Sequence, residues 1–203
     1  MLAHRALFNL LLRCALLAVA LAGASCGGGG LAVPQAAPRT GAVEPELVIH
    51  EIGDYECGFC ADVEPSVQRL LKEYGGRVQL VWRDYPLPRH PQAMLAAEAA
   101  HEVRAQGGDE KFWRYHRLLF LNQNHLSRVW LERNAEALGG IDMDRFRHAL
   151  SDHVHRAAID GDMHVLDEKL GDKFGTPAFV IGARLIVGAK PYDELKAAVV
   201  QAL

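Results

Sequence analysis

Apolar residues gather at three places along this chain in runs too short for helices, and elsewhere they recur at helical spacing. The first run, Leu47-Val48-Ile49-His50-Glu51-Ile52, predicts a strand. After a short loop bearing two cysteines, Val63, Val67, Leu70, Leu71 and Tyr74 share one face of a helix over residues 61–74, and Gly75 and Gly76 end it. Over residues 77–84, Val78, Leu80 and Trp82 alternate with Gln79, Val81 and Arg83, the period of a second strand. Strand, helix and strand in that order predict a right-handed parallel crossover.

Beyond Tyr85-Pro86-Leu87-Pro88 the period is helical, over residues 91–106, 110–121, 128–138, 143–150 and 153–173, with Gly107-Gly108 and Gly139-Gly140 as breaks. The apolar faces there, such as Phe112, Tyr115, Leu118 and Leu119, or Trp130, Leu131, Ala135 and Leu138, suit a small bundle laid on the sheet or over the cysteine loop. Strand character returns at residues 178–181 and 185–187 around a Gly182-Ala183 turn. A last helix over 191–202 opens on Pro191. The fold class is therefore α/β, with a helical domain inserted at about residues 89–173.

The ends and the composition narrow the partners. His4, Arg5 and Arg13, the apolar stretch from Cys14 to Ala24 and the small residues Ala22-Gly23-Ala24 have the form of an export signal. Gly23-Ala24-Ser25-Cys26 resembles a bacterial lipobox, with Gly23 where a large aliphatic residue is usual. Residues 1–26 are thus expected to be a signal peptide of lipoprotein type, with Cys26 lipidated. Residues 27–45, with Pro34, Pro38, Gly41 and Pro45, are expected to be a flexible linker ahead of a folded domain over 46–203. The net charge of -3 provides no basic field for nucleic acid. After residue 26 no apolar run approaches the roughly 20 residues of a spanning helix, so membrane contact is expected only through the lipid anchor. Of the four cysteines, Cys14 leaves with the signal and Cys57 pairs with Cys60; lipidation consumes the thiol of Cys26 that would otherwise stand alone.

Cys57-Gly58-Phe59-Cys60 lies between a strand and a helix, the setting in which such a pair reads as a redox dithiol. Amides of the first helical turn and the positive end of the helix dipole favour a thiolate on Cys57, the attacking species in disulfide exchange. Cys60, three residues along the helix, is near enough to resolve a mixed disulfide on Cys57. A zinc site lacks further ligands at suitable spacing, and a structural disulfide would close too small a loop to constrain the unfolded chain. His148, His153 and His155 are expected on exposed helix faces rather than at a metal. No metal or other cofactor is expected. Thr176-Pro177, just before a strand, is expected to be cis and to let Thr176 pair with an extended peptide beside Cys57. Asp54 and Glu56 are expected to stay solvated and to oppose the thiolate.

These motifs and their order resemble the DsbA-like thioredoxin family. The resemblance rests on residues 49–60, then Trp82-Arg83-Asp84-Tyr85-Pro86-Leu87 with His90-Pro91, then Gly175-Thr176-Pro177-Ala178-Phe179 and Gly188-Ala189-Lys190-Pro191-Tyr192. It implies a thioredoxin fold with an inserted helical domain, and disulfide exchange with exported proteins in the periplasm or cell envelope. Cys57 and Cys60 are then the catalytic pair, Thr176, Pro177 and Phe59 contact substrate, and a membrane redox partner resets the pair. Glu51 matches the family's acidic residue beneath the active site; burial would raise its pKa and let it take or give the Cys60 proton. Many members have Pro at the position of Gly58, and strongly oxidising ones have His at that of Phe59. The thiolate here is therefore expected to rely on helix amides alone, with a potential less oxidising than the strongest members and the direction of exchange open. The alternative from another class is a peptide-binding or chaperone module without exchange. A copper-chaperone reading is weaker, because the cysteine spacing is one residue short.

Overall fold

The computed structural model describes residues 31–171 and 174–203. Cys14, Cys26 and the expected export segment lie outside them. Five strands form one sheet in the order β1-β3-β2-β4-β5: β1 (Arg39–Gly41), β2 (Leu47–Gly53), β3 (Val78–Asp84), β4 (Ala178–Ile181) and β5 (Arg184–Val187). The helices are α1 (Gly58–Tyr74), α2 (Ala93–Leu121), α3 (Arg128–Ala137), α4 (Met143–Ser151), α5 (Arg156–Leu170) and α6 (Tyr192–Ala202). β2 and β3 are parallel with Leu47 opposite Val78, joined through α1, while β4 runs antiparallel to β2 with Glu51 opposite Phe179. This is the thioredoxin α/β fold, and α2 to α5 are its helical insertion.

Alternation along the strands sends side chains to two covered faces. Ile49, Leu80, Trp82, Phe179 and Ile181 pack with Val63, Val67 and Leu70 of α1 and Leu195 and Val199 of α6. On the other face Ile52, Ala178 and Val180 pack with Leu166 of α5, flanked by Leu170, Tyr85 and Phe174. Because both faces are covered, the polar positions of the alternation are buried too. Arg83 is 1% exposed and makes a two-pronged ion pair with Asp162 of α5, its Nε donating to Oδ2 at 2.7 Å and its Nη2 to Oδ1. Its Nη1 lies 3.3 Å from His50 Nδ1. Burial and the Arg83 charge hold His50 down at about 4, so its neutral ring accepts that bond. A buried guanidinium thus fastens the insertion to the sheet.

Three expectations need correction or refinement. The stretch expected as linker contains β1, which pairs antiparallel with β3 through Arg39 opposite Val81. Its own residues lack a strand pattern; it is held by the free edge of β3, by Trp82 donating its amide to the Pro38 carbonyl at 3.0 Å, and by the Trp113 indole donating to the Arg39 carbonyl at 2.9 Å. The two helices expected on either side of Gly107-Gly108 are present and run on from one another as α2, with the expected break placed at Gly108, whose φ is 70°. The helix expected from residue 153 begins at Arg156, because His153 adopts φ 53° and turns the chain between α4 and α5.

Asp162→Ala leaves the Arg83 guanidinium buried without its carboxylate. The substitution is expected to cost about 3 kcal/mol or more, measured by urea denaturation, whereas Glu46→Ala, which removes the exposed Glu46–Arg77 pair, should leave the denaturation midpoint close to that of wild type because water screens the pair.

Candidate active site

Cys57 is the residue before α1 and Cys60 lies in its first turn, because the chain leaves β2 at Gly53 and turns through Asp54-Tyr55-Glu56. Asp54 organises that turn. Its carboxylate accepts the amides of Glu56 at 2.7 Å and Leu87 at 2.8 Å and pairs with His90 Nδ1 at 2.7 Å, while its carbonyl accepts the Cys57 amide at 3.1 Å. Asp54 is therefore buried, against the expectation that it stays solvated; loop donors have taken the place of water. Glu56 is half-buried and accepts the Gln92 amide. From the insertion, the Gln123 side-chain amide donates to the carbonyls of Tyr55 and Cys57, both at 2.9 Å.

Both sulfurs are enclosed, Cys57 3% and Cys60 2% exposed. Their acidities diverge. The Cys60 thiol donates to Cys57 and is the largest influence holding it down at about 5. Burial opposes that, and the Thr176 hydroxyl and the amides of Cys60 and Phe59 assist. Helix amides alone were expected; the second thiol contributes more. Cys60 is pushed far up, first by burial and then by donating to Cys57. One sulfur of the pair is thus an anion at neutral pH and the other keeps its proton.

The Thr176–Pro177 peptide is cis, and the chain places Thr176 over the pair: its carbonyl accepts from Cys57 Sγ at 3.3 Å when that sulfur is protonated. The Thr176 hydroxyl is buried without a hydrogen-bond partner among the described residues, yet lies near enough to Cys57 to favour its charge. Pro177 is buried, and its carbonyl accepts the Gly188 amide at 2.8 Å. Phe59, between two buried cysteines, is 67% exposed. Glu51 is buried on the face of β2 that carries Ile49, and its Oε2 has no hydrogen-bond partner among the described residues. Burial, and then the charge of Glu64, push its carboxyl well up.

Sequence reasoning missed Tyr55, Glu64, His116 and Gln123. Glu64 and His116 were visible as polar residues on the apolar stripes of their helices; Gln123 gave no signal. The histidines set aside as exposed are not idle: His153 pairs with buried Glu98 at 2.9 Å and His155 with buried Glu102 at 2.6 Å, while His148 is exposed beside Asp152. They bind the α4–α5 junction to α2.

A family profile described as thioredoxin matches residues 35–201. The chain is 39% identical over 187 residues to the Na(+)/H(+) antiporter NhaA 3 of Salinispora tropica, covering 90% of this chain and 28% of that protein. It is 33% identical over 152 residues to NhaA 1 of Mycobacterium sp. strain KMS, covering 72% and 23%. The chain thus spans less than a third of the length of these curated relatives. Among solved structures, oxidised BdbD from Bacillus subtilis superposes with a TM-score of 0.74 at 22% identity, over 87% of this chain and 97% of that one. A thioredoxin-like oxidoreductase from Silicibacter pomeroyi DSS-3 gives 0.68 at 27% identity, over 83% and 93%. The catalytic domain of Proteus mirabilis ScsC gives 0.69 at 25% identity, over 83% and 90%.

In reduced protein, alkylation by a small haloacetamide should modify Cys57 with a pH midpoint of about 5 and leave Cys60 unmodified through neutral pH. Peptide mapping after timed alkylation reads both. A midpoint in the ordinary thiol range of about 8.5 would contradict the assignment.

Proposed function

The chain belongs to the DsbA-like thioredoxin family, and from that premise we propose that it is an oxidoreductase of the cell envelope that exchanges disulfides with exported proteins through Cys57 and Cys60. The observation that carries this reading is the opposed acidity of the two sulfurs, an ionised Cys57 at the head of α1 beside a Cys60 that holds its proton. The antiport named for the Salinispora and Mycobacterium relatives stays with those longer proteins.

In the reducing direction the Cys57 thiolate attacks a substrate disulfide, forming a Cys57–substrate bond and expelling the substrate's other sulfur as a thiolate. Cys60 then loses its proton and attacks Cys57 Sγ. The second substrate sulfur leaves, the substrate has gained two electrons, and Cys57 and Cys60 end as a disulfide. The reverse sequence oxidises a substrate dithiol. Glu51 exchanges the proton with Cys60 in either direction, as acid when the pair opens and as base when it closes. Thr176, Pro177 and Phe59 receive the substrate: the cis-proline segment offers its backbone to an extended peptide, and exposed Phe59 offers apolar contact. The exchange needs no cofactor beyond the cysteines, and a membrane redox partner restores the starting state.

The location is part of the proposal. Gly23-Ala24-Ser25-Cys26 supports cleavage before a lipidated Cys26, with the residues just after it as tether and the folded domain beginning ahead of β1, where Ala37 is buried and the Pro38 carbonyl accepts the Trp82 amide. Cys26→Ser, expressed in a bacterial host from the full gene, is expected to move the protein from the membrane fraction to the soluble periplasmic fraction; retention in the membrane would contradict lipidation.

Insulin reduction with dithiothreitol tests the chemistry. Cys57→Ser is expected to abolish catalysis, and Cys60→Ser to accumulate a mixed disulfide visible on a non-reducing gel. Wild-type protein that binds unfolded peptides without accelerating reduction, with Cys57→Ser binding them equally, would instead identify a chaperone module.

A further inference from the structure

The exchange described above gives no role to a linked run of three buried titratable groups, Glu64, His116 and Tyr55. Glu64 sits on α1 one turn beyond Cys60, buried against α2. His116, wholly buried on α2, joins it to the active-site loop, with Nε2 3.0 Å from Glu64 Oε1 and Nδ1 3.0 Å from the Tyr55 hydroxyl. Gln68 donates to the other Glu64 oxygen at 3.2 Å. Trp82, Trp113 and Phe120 crowd the imidazole at centroid distances of 4.7, 4.8 and 4.9 Å and fix its orientation. His116 donates through Nε2 to Glu64 and meets the Tyr55 hydroxyl with Nδ1, so both ring nitrogens are engaged.

Two carboxylates of one buried cluster therefore have unequal company. Glu64 has His116, Gln68 and, across a groove of about 220 Å³ between α1 and the end of α2, Arg117. Glu51 is sealed, one of its oxygens unpartnered among the described residues. The titratable groups around the pair are Cys57 at the N-cap of α1 and Cys60 in its first turn, Tyr55 on the loop, Asp84 at the end of β3, and His116 and Arg117 on α2; β4 carries none. We propose that Glu64 is a positioning residue for the exchange: fixed by His116, its carboxylate keeps a proton on Glu51 for delivery to Cys60 when the disulfide opens.

This inference rests on the exchange reading. Two carboxylates that feel each other in a poorly polar interior do not both ionise, and the one with donors takes the charge. Burial pushes Glu64 up, but the His116 bond and charge, Gln68 and Arg117 bring it below the usual carboxylate range, while Glu51 rises. In the opening step an incoming thiolate attacks Cys57 Sγ and bonds to it. The Cys57–Cys60 bond breaks, its electron pair goes to Cys60 Sγ, and that sulfur takes the Glu51 proton. The incoming sulfur is oxidised, Cys60 is reduced, and Glu51 regains a proton from solvent.

The test follows opening of the oxidised full-length protein by dithiothreitol across pH, normalised to dithiothreitol thiolate. In wild type the normalised rate should fall where Glu51 loses its proton. Glu64→Gln, which keeps the shape and the His116 contact but removes the charge, should move that fall down by about one pH unit. Glu64→Asp, which restores the charge, should move it back toward the wild-type position. Glu51→Gln should remove the fall altogether and slow opening at neutral pH by about a hundredfold. The infrared band of the protonated Glu51 carboxyl, assigned by its loss in Glu51→Gln, should titrate in parallel with the rate. A Glu64→Gln profile that superposes on wild type, while Glu51→Gln differs from both, overturns the role of Glu64 and leaves the exchange reading intact. A pair that fails to open at any pH overturns both.

Discussion

A sulfur enclosed by protein stays ionised only where donors point at it, since burial by itself favours the neutral thiol. The structure meets that requirement at the start of α1. Cys57 receives a hydrogen bond from the Cys60 thiol and the amides of Phe59 and Cys60, and the strands set the geometry by delivering Gly53 and Thr176 to the same end of the sheet. The loop before the helix is held from both sides, by Asp54 binding the Leu87 amide and the His90 ring and by Gln123 reaching out of the insertion. Without that bracing, a helix start exposed to water would stabilise the same charge far less, because water screens the dipole.

Burial of polar groups recurs across the molecule, and each case has a local answer. Arg83 beneath α5 has Asp162, and Glu98 and Glu102 on α2 have His153 and His155. These pairs join the insertion to the sheet and close the insertion on itself, so the helices over the active site are fixed by directed bonds as well as by apolar packing. Glu51 departs from this pattern: one of its oxygens has no partner among the described residues, and it lies close enough to Cys60 to affect it. An unsatisfied buried carboxyl costs stability, and its place beside the reacting sulfur is where such a cost serves chemistry.

Much of this was legible from residue patterns. The parallel pair β2 and β3, the break at Gly108, the closing hairpin and the cysteine pair at a helix start all follow from local periodicity and spacing, because backbone geometry fixes them within a few residues. What stayed hidden depends on contacts far apart in the chain. β1 has no pattern of its own and exists because β3 offers an unpaired edge. Asp54 looks like a solvated loop acid until residues 87 and 90 arrive to donate to it. His116 and Glu64 lie 52 positions apart, and only the packing of α2 on α1 reveals that each completes the other. The larger share of Cys60 in holding the Cys57 charge also escaped, since spacing shows that two thiols can meet and not which of them gives the proton.

The central claim is that the second thiol, more than the helix amides, sets the charge on the first. Ultraviolet absorbance of the thiolate, titrated in reduced wild type and in Cys60→Ala, addresses it directly. The account predicts a wild-type midpoint of about 5 and a rise of at least one pH unit when Cys60 is replaced. A midpoint that stays in place after the replacement would show that helix amides and Thr176 alone hold the charge, and would contradict the account.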